Sequence, residues 1–181
     1  MENSNRPNAN TFEKQSQNKE IERKFTIKEL PEDIESYPYH IIEQGYLCTS
    51  PVVRIRRQDD DYFLTYKGGG LLARTEYNLP LTASAYAHLK TKIDGNIISK
   101  KRYLIPLKKP RFTNSYSQKN ALSLTIELDI FAEPFAPLIM AEVEFPDLEM
   151  ANAFIPPEWF LEDVTMNPEY HNSNMSMKKF D

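Results

Sequence analysis

The chain of 181 residues has one cysteine, Cys48, so no internal disulfide can form and a reducing compartment, the cytoplasm, is the expected location. The same count excludes a structural zinc site built on thiolates. The three histidines, His40, His88 and His171, are scattered and offer no ligand-spaced pair. Glycine is scarce too, and its one cluster, Gly68-Gly69-Gly70, follows Lys67 instead of leading into a Gly-Lys-Ser/Thr helix. A phosphate-loop signature is therefore absent, and a turn is the expected structure there. No apolar run approaches the length of a membrane span, and the N-terminus lacks the apolar core of a signal peptide. No membrane association is expected. A formal net charge of −4 gives no reason to expect non-specific nucleic-acid binding.

What is present fits one soluble domain with a real core: 40% of residues are hydrophobic and 27% charged. Residues 1–18 are rich in Asn, Ser and Gln, with Phe12 the one large apolar side chain. Such a segment buries too little to offset its ordering entropy, so it is expected to be a flexible tail, with the domain spanning 19–181.

From Lys19 onward the chain alternates. Glu20, Glu22, Lys24 and Thr26 share one face of a strand, and Ile21, Arg23, Phe25 and Ile27 the other. The same period-two pattern predicts strands over 39–46, 52–57, 62–67, 74–79, 98–105, 124–130 and 139–145, with Gly45 marking a bend or bulge. Helical signals are few. They comprise a turn over 30–34 with Pro31 at its first position, a helix over 82–93 stopped by Gly95, and a helix over 147–154 capped by Asp147. Residues 108–117 read as a basic and polar loop, and the chain beyond Trp159 as irregular.

The charged strand faces carry pairs of one sign: Glu20 with Glu22, Arg54 with Arg56, Lys100 with Arg102, Glu127 with Asp129, Glu142 with Glu144. On a strand such pairs lie about 6–7 Å apart, twice the rise of roughly 3.3 Å per residue. Like charges so close are unfavourable unless an opposite charge lies between them. Two architectures accommodate them. An open antiparallel sheet would pack its apolar face on the helices and show the charged face to water. A closed barrel would turn the charged faces inward, with the apolar faces covered by helices and loops outside. Carboxylates suit Mg²⁺ or Mn²⁺, and Arg and Lys suit phosphate oxygens, so the guest of such a bore would be a polyanion with its metal.

The ordered motifs Glu20-x-Glu22-x-Lys24, Arg54-x-Arg56, Lys67, Arg74-x-Glu76, Lys100-x-Arg102, Glu127-x-Asp129 and Glu142-x-Glu144 resemble those of the CYTH, or triphosphate tunnel metalloenzyme, family. The resemblance runs from Lys19 to about Asn174. It implies a mainly β fold, a closed eight-stranded antiparallel barrel with a few short helices outside. It implies a metal-dependent hydrolase of triphosphate, most similar to small bacterial members that cleave inorganic triphosphate to pyrophosphate and phosphate. Adenylate cyclase, thiamine triphosphatase and a non-catalytic polyphosphate-binding module are the alternatives. By the same resemblance Glu20, Glu22, Glu142 and Glu144 hold Mg²⁺ or Mn²⁺. Lys24, Arg54, Arg56, Lys67, Arg74, Lys100 and Arg102 bind the phosphate chain, with Arg74 equally suited to pairing with Glu76. Glu76, Glu127 and Asp129 are the candidates for a second metal or for orienting the attacking water. The implied partner is a small triphosphate, with no nucleic acid, on a monomer or homodimer. Asn78 departs from the pattern, since small bacterial members commonly carry an acid there. Tyr170 and Asn172 are placed either at a tunnel mouth or in ordinary packing.

Overall fold

Each alternating segment is a strand in the computed structural model, which describes residues 19–113 and 123–180. The strands are β1 (Lys19–Ile27), β2 (Tyr39–Thr49), β3 (Val52–Gln58), β4 (Asp61–Lys67), β5 (Ala73–Pro80), β6 (Asp94–Leu107), β7 (Arg111–Phe112), β8 (Leu124–Phe131), β9 (Ile139–Glu144), β10 (Phe154–Ile155) and β11 (Phe160–Asp163). Eight of them run antiparallel in the order β1-β5-β4-β3-β2-β6-β8-β9, and β9 pairs back onto β1 through Glu22–Thr26. The sheet is thus a closed barrel, not the open sheet. Closure turns most of the charged positions away from bulk water: Lys24, Arg54, Lys67, Lys100, Arg102, Asp129 and Glu142 are all buried, while Glu144 stays exposed. The expected tail, residues 1–18, lies outside the described residues.

The apolar faces point outward and form the main core on one flank. Ile21, Phe25, Tyr103, Leu128 and Val143 pack against Met150 and Ala151 of α2 (Leu148–Ala153), and against Phe154 and Phe160. Each such fully buried side chain contributes about 1.5–3 kcal/mol. Arg23 ties this layer to the barrel, donating to the Ala151 and Phe154 carbonyls at 2.9 and 3.0 Å and to Asp163. A second cluster, of Tyr46, Ile98, Phe131, Phe135, Met140 and Met175, sits where the inner faces of β2, β6, β8 and β9 turn apolar. The bore is therefore charged in its middle and at one end only, because the strands extend beyond their charged positions.

Several expected boundaries move. The turn over 30–34 forms later, as a 3-10 turn at Ile34–Ser36 after Asp33, whose φ of 58° is left-handed, so Pro31 precedes it. The helix over 82–93 is the shorter α1 (Ala83–Lys90), capped by the Thr82 hydroxyl accepting from Ala85 N. Gly95 does not stop it. With φ of 70° it lies in β6, where a Cβ would come 2.3 Å from the Ser176 carbonyl oxygen. Asp147 caps α2 as expected, accepting from Met150 N at 2.7 Å. The chain after Trp159 is not irregular: it forms β11, a 3-10 turn at Pro168–Tyr170 and α3 (Asn172–Met175). Within 108–117, Arg111 and Phe112 pair with β10, and residues 114–117 lie outside the described residues. Among the described residues no helix is long and apolar enough to cross a membrane.

Candidate active site

Strand alternation sends Glu20, Glu22 and Lys24 of β1 into the bore, and pairing decides what each meets. Lys24 lies opposite Glu142, Glu22 opposite Glu144, Arg102 opposite Asp129, and Glu127 opposite Glu142. The lumen is a cavity of about 150 Å³. Of the residues singled out from the sequence, Glu20, Glu22, Lys24, Arg54, Arg56, Lys67, Arg74, Glu76, Arg102, Glu127, Glu142 and Glu144 all line it. Lys100 and Asp129 do not. They are bonded to each other with both side chains at 0% exposure, behind Arg102. Asp129 accepts from Arg102 Nε and Nη2, each at 2.6 Å, so it braces the lining from beneath.

Inside, nearly every cation faces an anion. Lys24 bonds Glu142 and lies 3.0 Å from Glu22. Lys67 donates to both oxygens of Glu20 at 2.7 and 2.6 Å, and lies 2.6 Å from Glu76 Oε2 without the alignment for a hydrogen bond. Arg74 donates to Glu20 at 2.9 Å and to Glu22 at 3.0 Å, so its partners are the β1 carboxylates and not Glu76. Arg102 also reaches Glu142, at 2.6 Å, and Glu127. Buried ion pairs recover their desolvation cost only where such partners are in place, so the web holds its own charges more than it stabilises the fold.

Burial lowers the affinity of the Lys24 ammonium for its proton, but Glu142 and Glu22 outweigh it and raise the pKa. At Lys100 burial wins, helped by neighbouring Arg102, and brings the pKa down to about 8. Burial, then Arg54 and Arg102, lowers Arg56 to about 10. Burial pushes the Glu76 carboxyl up, yet Lys67 and Arg54 hold it at about 2. Glu144 goes the other way: burial, and then Glu20, Glu127, Glu22 and Glu76, all raise it.

No family model matches the chain. It is 35% identical over 162 residues to the inorganic triphosphatase of Nitrosomonas europaea, a match covering 87% of this chain and 97% of that protein. The chain belongs to the CYTH family of triphosphate tunnel metalloenzymes. The inorganic triphosphatase of Acetivibrio thermocellus is 29% identical over 166 residues, which cover 87% of this CYTH chain and 92% of that protein. A crystal structure of an inorganic triphosphatase aligns at a TM-score of 0.60 and 31% identity over 88% of this chain and 95% of that one.

The CYTH tunnel has residues that reading the sequence missed. Gln44 and Tyr46 belong to its interior, and extending the parity of β2 across Gly45 would have found them. His171 and Ser173 line the cavity beside Asn172, whereas Tyr170 packs against the inner apolar cluster. No local signal marks His171, which tertiary folding brings there. Asn78 lines the acidic mouth with Glu20, Glu76 and Glu144, and donates to Glu76 Oε1 at 2.8 Å, where an acid would repel it. Among the described residues no three carboxylate or imidazole groups converge as a ready-made metal cage. The donor set nevertheless suits a hard divalent cation. Glu22 faces Glu144 and Glu127 faces Glu142 directly across strands; Lys24, Arg74 and Arg102 balance Glu22, Glu127 and Glu142, whereas Glu144 has no ion-pair partner among the described residues and its charge is left for a cation to meet.

Proposed function

We propose that this CYTH protein hydrolyses inorganic triphosphate to pyrophosphate and phosphate, with Mg²⁺ or Mn²⁺. The observation that carries the reading is one enclosed cavity in which facing carboxylates, Glu22 with Glu144 and Glu127 with Glu142, stand beside a basic wall of Lys24, Arg54, Arg56 and Arg102. The relatives' activity supports it. Phosphoryl transfer needs mostly positioning and charge stabilisation. Glu20, Glu22, Glu142 and Glu144 would hold the cation, which when bound neutralises phosphate oxygens as a Lewis acid. The basic side chains bind the phosphate chain and stabilise charge on the leaving pyrophosphate. Glu76, ionised at any ordinary pH, and Glu127 can accept hydrogen bonds from a water and orient it for attack, while a carboxylate so acidic is a weak base. Enclosed Asp129 acts through Arg102 and Lys100 instead. A cytoplasmic monomer or homodimer with no nucleic-acid partner goes with this reading.

Phosphate release from tripolyphosphate, measured with Mg²⁺ and with Mn²⁺ beside ATP and thiamine triphosphate, tests the proposal. Preferential release from tripolyphosphate is expected. Cyclic AMP from ATP would make the chain a cyclase, and binding without release under either metal would make it a binding module.

A further inference from the structure

The cations of the bore differ in one respect. Lys24, Lys67, Arg74, Lys100 and Arg102 each lie within 3.0 Å of a carboxylate. Arg56 has no ion pair among the described residues, and Arg54 has only Glu76, at 4.0 Å. What these two guanidiniums share is a neutral group. Gln44 Oε1 accepts from Arg54 Nη1 at 3.3 Å and from Arg56 Nε and Nη2 at 3.3 and 3.1 Å. Gln44 is completely buried and faces Arg56 across β2 and β3. Its Nε2 donates to the Tyr46 hydroxyl at 3.1 Å, which fixes the amide's orientation. A flipped amide would set donors against two guanidiniums. Arg54 Nε is buried with no acceptor, an omission that a bound anion would correct.

We propose that Gln44 is a positioning residue which holds Arg54 and Arg56 side by side with their charge uncancelled, making them the seat on which a phosphate group docks without metal. The inference rests on the triphosphatase reading for its ligand class, inorganic polyphosphate. A glutamate at this position would satisfy the same donors with the same shape but would neutralise one guanidinium. A carbonyl aligns the pair and leaves its full field to the ligand. Burial, Arg54 and Arg102 all press on Arg56, consistent with a cationic pole that the folded chain alone leaves unbalanced.

Gln44→Glu and Gln44→Met test it. Tripolyphosphate binding is measured by calorimetry in EDTA, together with melting temperature, KM and kcat with metal. Gln44→Glu is expected to melt no lower than wild type, yet to bind metal-free tripolyphosphate at least about tenfold more weakly, since a like charge is then set against the ligand. KM should rise in step, with kcat changed less. A residue that merely packs would predict the reverse: affinity kept, because the acceptor and shape are kept. Folded Gln44→Glu with wild-type affinity overturns the proposal. If that variant does not fold, Gln44→Met decides, because it keeps the bulk and loses the acceptor; unchanged affinity there overturns the proposal and weakened affinity supports it. The two readings fail separately. Wild type that binds without turnover sinks the triphosphatase and leaves the seat supported, whereas turnover with no metal-free binding sinks the seat alone.

Discussion

Two acidic residues of the inner face, Glu22 and Asp129, have opposite fates set by access. Asp129 has no exposed surface and spends both oxygens on Lys100 and Arg102. Glu22 lines the cavity, with Oε1 3.0 Å from both Arg74 and Lys24, and it faces a second carboxylate, Glu144, across the strands. Glutamine at position 22 keeps the size and an acceptor oxygen, and Lys24 keeps Glu142, so Glu22→Gln should fold. It lacks the charge a divalent cation needs. We expect kcat to fall by at least about 10²-fold, the scale of removing one charge-stabilising group from an enclosed site. Steady-state rates across a metal titration check this, and wild-type turnover at low metal would remove Glu22 from the metal set.

At the scale of elements, the segment after β11 is the one that most changed meaning on folding. It has no periodicity of its own, yet it sends His171, Asn172 and Ser173 to the cavity wall. Asn96 clamps it, donating from N and Nδ2 to the Ser176 carbonyl at 2.6 and 3.0 Å and to Lys178 O at 2.6 Å. His171 turns inward, 5% exposed, with Nε2 3.0 Å from the Thr165 carbonyl. Burial lowers its pKa, and Lys24 and Arg74 add to that against the Thr165 carbonyl and Glu22. The folded value therefore lies below the unfolded one, near 6.5. The stability that neutral His171 lends is complete above about pH 6.5, and drains as pH falls from there toward the folded pKa, by at most about 1.4 kcal/mol per pH unit. His171→Gln keeps a donor and cannot titrate. Denaturant unfolding of both proteins at about pH 7.5 and about pH 5.5 should show wild type losing more toward acid, in the range where histidine changes charge. Equal losses would mean that His171 is not enclosed.

The whole molecule holds opposed charge at close quarters with a ligand's room between. Acids gather at the mouth formed by Glu20, Glu76, Asn78 and Glu144, while Arg54 and Arg56 lack close counter-ions. A non-hydrolysable triphosphate with Mg²⁺ or Mn²⁺ relieves both sets at once. Ligand at a hundredfold its dissociation constant stabilises by about 2.7 kcal/mol. For a domain of this size that is a rise of roughly 5–10 °C in melting temperature. The shift should be much larger with metal than without, and larger than with sulfate or monophosphate, which span fewer strands. A thermal-shift series decides it: equal shifts for monophosphate and triphosphate would deny that the bore is built for a chain of phosphates.

Side-chain parity is a local property, and so it was legible in the chain itself. Glu20, Glu22 and Lys24 had to share a face in any strand, as did Arg54 with Arg56 and Glu142 with Glu144, whatever the fold. The Asp147 cap was legible for the same reason, since its acceptor serves a backbone amide three residues on. Local pattern could not say whether those faces looked to water or to each other. That was decided when β9 paired with β1, a contact between the first and last strands of the barrel that no window of sequence contains. Nor could parity separate Arg102 and Glu127, which reach the cavity, from Lys100 and Asp129, which share their faces and are sealed behind them. Depth within a barrel depends on strand tilt and stagger, which exist only once the sheet has closed. The same holds for the apolar end of the bore, where Ile98 and Met140 continue the charged faces of Lys100 and Glu142, and for His171, delivered to the lumen by a C-terminal turn whose partners lie in β6.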